Sequence, residues 1–199
     1  MKNKFQTIFN FRWLCFLLVV ILFIGGCGTT DNTQETTISI RKNGQVTHQM
    51  VDYLDEDYYD YNELLEMVQQ EVESFEPGGV SLKDSHWSAD GTNRVSVKLS
   101  FADCDVFSAF SRELLFYGTV AEALDRKIIG NVLLSHVEDG SALSETDLLQ
   151  MGNHKILITD VKALIECPGN PTYYSPGIVV REDGIVDTRN SEGRMYAVY

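Results

Sequence analysis

The chain has 199 residues, enough for one domain with its own hydrophobic core and short for two. Its 44% of hydrophobic and 23% of charged residues are typical of a globular protein and argue against wholesale disorder. The net charge of −13 at pH 7 repels phosphate backbones and anionic head groups, which disfavours nucleic-acid binding and electrostatic docking on a membrane.

The body of the protein is more acidic than this total. Lys2, Lys4 and Arg12 lie within the first 26 residues, where there is no acidic residue. Without these three, 13 of the 16 basic residues remain against 29 acidic ones, a net charge of −16. Solubility is the simpler interpretation of this charge, and cationic partners are compatible with it.

Residues 1–26 have the three-part layout of a secretory signal peptide. A basic start is followed by the apolar run WLCFLLVVILFI, from Trp13 to Ile24, and then by Gly25 and Gly26. As a helix the run would be about 18 Å long, against roughly 30 Å for the hydrocarbon core of a bilayer. A cleaved leader is therefore favoured over a retained transmembrane anchor.

The sequence IGGC at residues 24–27 resembles the lipobox of bacterial lipoproteins, in which an aliphatic residue and two small residues precede a modified cysteine. The resemblance implies cleavage between Gly26 and Cys27 and a diacylglyceryl thioether on Cys27. Two acyl chains are enough for stable anchoring. We therefore expect a lipid-anchored protein at the cell membrane that faces outside the cytoplasm. The alternative is a plain secreted protein.

Residues 27–37 are expected to form the lipidated cysteine and a flexible tether, and residues 38–199 a single domain. The sequence GTTDNTQETT at residues 28–37 has no apolar residue and no periodicity. A flexible coil of this length reaches about 17 Å, roughly twice the Debye length at physiological salt. The body can therefore stay clear of most of the membrane's repulsion.

Two cysteines remain in the body, Cys104 and Cys167, because Cys15 leaves with the leader. A disulfide between them is one possibility, since export usually leads to oxidising surroundings. Nothing in the sequence places the two together. Two buried free thiols are therefore the simpler expectation.

From Ile38 the pattern becomes that of β-strands, and ISIRKNGQVTHQM predicts a hairpin around Asn43-Gly44. A two-residue loop would place the apolar residues of the two strands on opposite faces. A three-residue loop with Gly44 in the left-handed conformation pairs Ile40 with Val46 and keeps one apolar face. The three-residue loop is predicted.

A helix is predicted after Asp60, its N-cap. Glu63 stands where a capping box requires it, and Tyr59 faces Leu64 as a hydrophobic staple. EPGG at residues 76–79 ends the helix. The residues that recur at helical spacing are Tyr61, Leu64, Leu65, Val68, Val72 and Phe75.

Two strands follow, VSLKDSHWS and RVSVKLSF, joined by the turn residues ADGTN. In the second strand every other residue is apolar, which is typical of an antiparallel strand with one wet face. The apolar residues are Val95, Val97, Leu99 and Phe101.

Two more helices are predicted. One starts at Asp103 and carries Val106, Phe107 and Phe110, with LLFYG as its end or a connector. The other starts at Thr119, with a second capping box formed by Thr119 and Glu122.

The remaining segments are predicted to be mostly strands, at residues 131–136, 155–159 and 161–167, the last two joined across Asp160 as one bent strand. PGNP at residues 168–171 is a turn. GIVVREDGIVDT predicts a second hairpin around Asp183-Gly184.

These elements predict an α+β fold, a mostly antiparallel sheet of hairpins with about three helices packed on one face. No Gly-rich strand-to-helix turn suggests a doubly wound nucleotide-binding fold. The order of the elements and phrases such as FYGTVAEAL resemble small lipoproteins of unassigned function from clostridia-type bacteria. That resemblance brings no residue roles.

The acidic and aromatic run DYLDEDYYDYNE, residues 52–63, is the most unusual stretch of the body. Its carboxylates could hold Ca²⁺, or its tyrosines could stack on a sugar or a peptide. The run lacks the turn glycine and the distal glutamate of an EF-hand loop. The favoured interpretation is structural, the end of a hairpin followed by the acid-rich first turn of a helix.

No catalytic, cofactor or metal site is predicted. There is no GxSxG motif, and Asp103 and Asp105 are explained as acids at a helix start. Trp87 could mark a binding face, although core packing is favoured. The four histidines are far apart in sequence, and most of them are expected at the surface or at strand edges: His48, His86, His136 and His154.

We therefore expect an exported, lipid-anchored envelope protein with a non-enzymatic binding or structural role. Its protein, peptide or glycan partner is not specified by the sequence. The alternative is an enzyme acting on cell-envelope polymers through surface carboxylates. Acids converging in one cleft would favour the enzyme, and a flat or grooved aromatic surface near Tyr58 and Trp87 would favour the binder.

Overall fold

The computed structural model describes residues 35–55, 60–88, 91–130 and 132–199. Thr33–Tyr199 form one compact unit. The leader, Cys27, most of the tether, Tyr58 and Tyr59 lie outside the described residues. Within the described ranges, none of the helices has the length and apolar content needed to cross a membrane.

The described residues form thirteen strands and four helices. In chain order they are β1 (Thr37–Ile40), β2 (Val46–Tyr53), α1 (Tyr61–Ser74), β3 (Val80–Trp87), β4 (Arg94–Phe101), α2 (Cys104–Ser111), β5 (Leu115–Thr119), α3 (Val120–Asp125), β6 (Leu134–His136), β7 (Ala142–Leu143), α4 (Glu145–Gln150), β8 (Lys155–Thr159), β9 (Leu164–Glu166), β10 (Tyr173–Tyr174), β11 (Val179–Val180), β12 (Val186–Asp187) and β13 (Met195–Val198).

The strands make two sheets, and the fold is α+β as predicted. The seven-stranded sheet has the order β11-β12-β9-β1-β2-β4-β3, and the six-stranded sheet has the order β5-β8-β13-β10-β6-β7. Every pairing is antiparallel except that of β1 with β9. The hairpins are therefore divided between two layers.

One face of the seven-stranded sheet is apolar and the other is polar. Val46 pairs with both Ile40 and Phe101, and Ile38 pairs with both His48 and Ile165, so these side chains share one face. The buried residues of this face are Ile38, Ile40, Val46, Val95, Val97, Leu99, Phe101, Ile165 and Val186. The alternation predicted for β4 is confirmed.

The six-stranded sheet is buried on both faces. One face contributes Leu115, Leu157 and Met195 to the core of the seven-stranded sheet, to which α2 adds Phe107. The other face forms a second core with α3 and α4. The members of that core are Phe116, Val120, Ala123, Leu134, Leu148, Ile156, Ile158, Tyr196 and Val198.

Both predicted hairpins are confirmed, and the first has the predicted bulged loop. Gly44 has a φ of 87°, its N–H donates to the Arg41 carbonyl at 2.9 Å, and Ile40 pairs with Val46. The loop at Gly184 repeats this geometry, with a φ of 83° and a 2.9 Å bond to Arg181. Glycine is required at both positions because the backbone is left-handed.

The predicted helix caps are also found. Asp60 accepts from the N–H groups of Asn62 and Glu63, and Asp103 accepts from that of Val106. Thr119 and Glu122 form a reciprocal capping box, with bonds of 2.6 and 3.1 Å. At α1 only the Asp60 half of the box is present among the described bonds.

Two predictions are wrong. LLFYG is neither the end of a helix nor a connector, because its last four residues begin strand β5. The neighbouring side chains Leu115 and Phe116 are both buried, so β5 is buried on both faces, as a continuous apolar run allows. Residues 155–159 and 161–167 are not one bent strand, because β8 lies in the six-stranded sheet and β9 in the seven-stranded sheet. The segment from Asp160 to Ala163 carries the chain between the two sheets.

Several short elements were not predicted. Ser144 caps α4 and accepts from the Asp147 N–H, which makes four described helices rather than about three. Strands β7, β10 and β13 are also additional. The fold begins before the Ile38 boundary, because the Thr36 hydroxyl bonds to the Val51 backbone and Glu35 pairs with Arg181 and Arg189.

Candidate functional site

A groove of about 470 Å³ lies between α1 and strands β2 and β4 of the seven-stranded sheet. Helix α1 forms one wall, the apolar face of the sheet forms the floor, and Tyr53 and Leu54 close one end. We call it the α1 groove. The other lining residues are Met50, Asp52, Asp60, Glu63, Leu64, Met67, Val68, Val95 and Val97.

The register of the sheet explains the floor. Met50 pairs with Val97 and Asp52 with Val95, and directly paired residues point to the same face. The helical repeat explains the wall, because residues 60, 63, 64, 67 and 68 are three or four apart and lie on one stripe. The groove is therefore the place where this stripe and the end of the apolar face meet.

Helix α1 covers this end of the sheet incompletely. It packs mainly over the edge strand β3, and none of its residues is fully buried. Met67 is 55% exposed, and Tyr53, at the end of β2, is 49% exposed. Exposed apolar groups that line one concavity mark an interaction site rather than ordinary surface.

An aromatic pair stands beside the floor. The rings of Tyr61 and Trp87 stack with centroids 6.0 Å apart, and the Tyr61 hydroxyl donates to Ser85 at 3.0 Å. Trp87 pairs directly with Val95 of the floor. It is 48% exposed, so the expectation that it packs in the core is wrong.

The rim of the groove is acidic. Asp52 accepts the Tyr53 N–H at 2.8 Å, and Asp60 accepts two N–H groups of the first turn of α1 at 2.7 and 3.2 Å. Glu63 is exposed to solvent. The rim can therefore attract a cation, while two of its three carboxylates already accept backbone N–H bonds.

Much of the acidic and aromatic run forms this site. Residues 52–54, 60 and 63 line the groove, and the structural interpretation is also confirmed, because β2 ends at Tyr53 and Asp60 caps α1. Residues 56–59 of the run lie outside the described residues. No local pattern indicates that Met67 and Val95 join the run in one groove, because their proximity depends on sheet pairing.

The ionisable side chains of the groove with a known use in catalysis are mainly carboxylates, those of Asp52, Asp60 and Glu63. Its described lining residues include no histidine, serine, cysteine or lysine. In the described parts of the chain, no group of three or more His, Cys, Asp or Glu side chains is placed to hold a metal ion. The chemistry that the groove offers is apolar contact together with negative charge.

The acids predicted as helix-start residues are occupied elsewhere. Asp103 caps α2, and Asp105 forms an ion pair with Arg126 at 2.6 Å. Cys104 and Cys167 are both free thiols. Burial raises the pKa of each thiol to about 12, so neither is a nucleophile at neutral pH.

One histidine is an exception to the placement expected for most of the four. His48 lies on the apolar face of the sheet against Phe107, and burial lowers its pKa to about 4. His86 and His154 are exposed, as predicted, and His136 lies 3.3 Å from Asp139. The structure does not bring any of the four into the α1 groove.

Similarity to other proteins does not identify the site. Comparison of the chain with protein-family models, with curated proteins and with solved structures gives no match.

Proposed function

We propose that this protein is an exported lipoprotein, held at the cell membrane by a diacylglyceryl group on Cys27, and that its body binds a partner protein outside the cytoplasm through the α1 groove. The leader and the IGGC sequence support the location. The groove, with its apolar floor and acidic rim, is the observation that carries the binding role.

The occupant that fits this groove is a cationic amphipathic segment of the partner. Apolar side chains would contact the partly exposed Met50, Leu64 and Met67. Lysine or arginine side chains would meet Asp52, Asp60 and Glu63. The body's charge of −16 adds long-range attraction for such a segment. Met50 and Met67 suit this role, because methionine adapts its shape to different apolar partners.

Binding is favoured over catalysis for a specific reason. The Asp52 and Asp60 carboxylates already accept backbone N–H bonds, and Glu63 stands in solvent beside an apolar floor. An acid–base pair for polymer cleavage needs two carboxylates directed at one scissile bond. Asp52 and Asp60 are instead engaged by the backbone at the end of β2 and at the start of α1, and they contribute charge to the rim.

The test uses the full chain in detergent micelles and two synthetic peptides of about 14 residues. One has leucines at helical spacing with lysines between them, and the other has glutamate in place of every lysine. Calorimetric titration at low salt should give a Kd on the order of 10 µM for the cationic peptide. The acidic peptide should not bind, because the rim repels it.

Matched variants separate the groove from the general acidity of the chain. Met67→Gln should weaken binding of the cationic peptide about tenfold, and Glu63→Gln about threefold. Leu149→Gln removes an equally exposed leucine from α4, and Glu66→Gln removes a neighbouring acid of α1 that does not line the groove. Both control variants should bind like the wild type.

Two outcomes would overturn the partner-binding role. One is equal binding by wild type and Met67→Gln, which would show that the peptide binds the acidic surface at large. The other is a concentration-dependent dimer in sedimentation that Met67→Gln abolishes, because the occupant would then be a second copy of this chain.

The anchor has its own test. The wild type should partition into detergent and carry the mass of a diacylglyceryl group at Cys27, and Cys27→Ala should do neither. If both forms carry no lipid and partition alike, the anchor is refuted, whatever the peptides show.

A further inference from the structure

A second concavity, of about 540 Å³ and widely open to solvent, lies where the chain crosses from one sheet to the other. Three segments line it: residues 127–130 after α3, the crossover with Asp160 and Lys162, and Gly193 with Arg194 before β13. Tyr196 adds an aromatic side chain. We call it the crossover cavity.

The charge of the crossover cavity is opposite to that of the protein. Lys127, Lys162 and Arg194 line it together with the single acid Asp160, which leaves two net positive charges in a body whose total is −16. Lys127 and Lys162 have no ion-pair partner among the described residues. Their ammonium groups are therefore available to a ligand.

Arg194 is held in position. Its Nε and Nη2 each donate to Asp160 at 3.1 Å, a two-point contact that fixes the plane of the guanidinium. Nη1 makes no bond within the described parts of the chain. A fixed guanidinium with an unused edge can receive an oxyanion with little loss of side-chain entropy.

The crossover itself is rigid, because buried threonines bind its backbone. The Thr159 hydroxyl donates to the Leu114 carbonyl at 2.9 Å and accepts the Val161 N–H at 3.0 Å. The Thr188 hydroxyl donates to the Val161 carbonyl at 2.7 Å and accepts the Ala163 N–H at 3.0 Å. Lys162 lies between these anchored residues, so the position of its backbone is set before a ligand arrives.

Lys127 occupies an unusual backbone position. Its φ is 57°, and the bonds from Lys127 and Ile128 back to Leu124 and Ala123 form the helix ending in which glycine is the usual residue. A lysine here carries a backbone cost, and it adds an ammonium group to the cavity lining.

We propose that the crossover cavity binds a small organic anion, one carboxylate or phosphate group on a body of up to the size of a hexose. The anionic group would meet Lys127, Lys162 and the free edge of Arg194. Ile128 and Ile129, both half-buried, would contact the less polar part of the ligand.

The test uses the full chain in detergent micelles and three sugars of matched size. Glucuronate presents the carboxylate, glucose 6-phosphate presents the phosphate, and glucose is the neutral control. At low salt, at least one of the two anions should bind with a Kd of about 1 mM or below by calorimetry or ligand-observed NMR. Glucose should not bind at about 10 mM. The sugar that binds more tightly identifies whether the site prefers a carboxylate or a phosphate.

Lys127→Gly and Lys162→Gln should each weaken binding of that anion about fivefold to tenfold. The matched control is Arg112→Gly, since Arg112 is also an exposed cation in a left-handed position at a helix end, but does not line the cavity. It should bind like the wild type. Thermal unfolding of each variant separates loss of binding from loss of fold.

Three results would overturn the proposal. The first is no binding of either anion at about 10 mM. The second is equal binding of glucose. The third is an equal loss in Lys127→Gly and Arg112→Gly, which would make the effect one of total charge. The α1 groove is a separate site, so Met67→Gln should leave anion binding unchanged.

Discussion

The imidazole of His48 lies edge-on to the ring of Phe107, with centroids 5.6 Å apart and planes at 63°. Its Nε2 is buried with no hydrogen-bond partner among the described residues. Burial lowers the pKa of His48 to about 4. The folded protein therefore holds this side chain neutral at pH values where an ordinary histidine carries a proton.

The burial of His48 predicts that the folded protein loses stability in mild acid. Above pH 6.5 the histidine is neutral in both the folded and the unfolded chain, so it adds no pH dependence. Between pH 6.5 and about 4, His48 is protonated in the unfolded chain but stays neutral in the folded chain. Protonation therefore stabilises the unfolded chain and lowers the free energy of unfolding by about 3 kcal/mol.

Urea unfolding at about pH 7 and about pH 4.5 measures this loss. Most of the 3 kcal/mol should disappear from the pH dependence of His48→Leu. The control His86→Leu changes an exposed histidine of the same sheet and should keep the wild-type pH dependence. If His48→Leu loses stability with acid as steeply as the wild type, the burial of His48 is not the cause.

The parts of the fold that could be predicted are those specified by neighbouring residues. The loops at Gly44 and Gly184 follow from a glycine beside an asparagine or aspartate between apolar runs. The cap of α3 follows from Thr119 and Glu122, which lie three residues apart and bond to each other's backbone. Such signals need no knowledge of the rest of the chain.

The parts that could not be predicted depend on distant pairings. Ile38 pairs in parallel with Ile165, more than a hundred residues away, and this pairing sets the order of the larger sheet. The polar residue Asp160 marks the change of sheet, but a bend within one strand gives the same local pattern. Lys127, Lys162 and Arg194 are likewise far apart in sequence, so the crossover cavity has no local signal.

Thr188 is predicted to be important for stability, because its hydroxyl hydrogen-bonds to backbone groups on both sides of Lys162 in the crossover. It is fully buried, donates to Val161 at 2.7 Å and accepts from Ala163 at 3.0 Å. Thr188→Val keeps the shape but leaves a buried carbonyl and a buried N–H without this partner, at a cost of about 2 to 3 kcal/mol.

The control variant is Thr47→Val. Thr47 lies on the polar face of the seven-stranded sheet, where the same change removes no hydrogen bond of the described structure. It should alter the free energy of unfolding by less than about 0.5 kcal/mol. Equal effects of the two changes in urea would contradict the structural role of the Thr188 hydroxyl.

The two thiols of the body should be chemically silent in the folded protein. Cys167 is buried beside the Tyr199 hydroxyl, Cys104 lies at the start of α2, and burial raises the pKa of both to about 12. Since the thiolate is the reactive form, iodoacetamide at about pH 8 should label neither site until urea unfolds the chain. Mass analysis of the two cysteine peptides measures this, and labelling without urea at a rate typical of free cysteine would refute it.

Lys127 and Arg112 both have a left-handed backbone conformation that is unfavourable for a residue with a Cβ, with φ angles of 57° and 63° at the ends of two helices. Glycine adopts this conformation without the clash of a Cβ, although it loses more entropy on folding and would remove a cation near a helix C-terminus. The balance predicts that Lys127→Gly and Arg112→Gly each raise the free energy of unfolding by about 0.5 kcal/mol, measured in urea. A loss above about 1 kcal/mol in either variant would show that the cation, not the backbone, dominates there. The decisive result is that both variants gain stability while only Lys127→Gly loses affinity for the anion. Lys127 would then lower the stability of the fold while its charge supports binding, which is the relation expected of a binding residue.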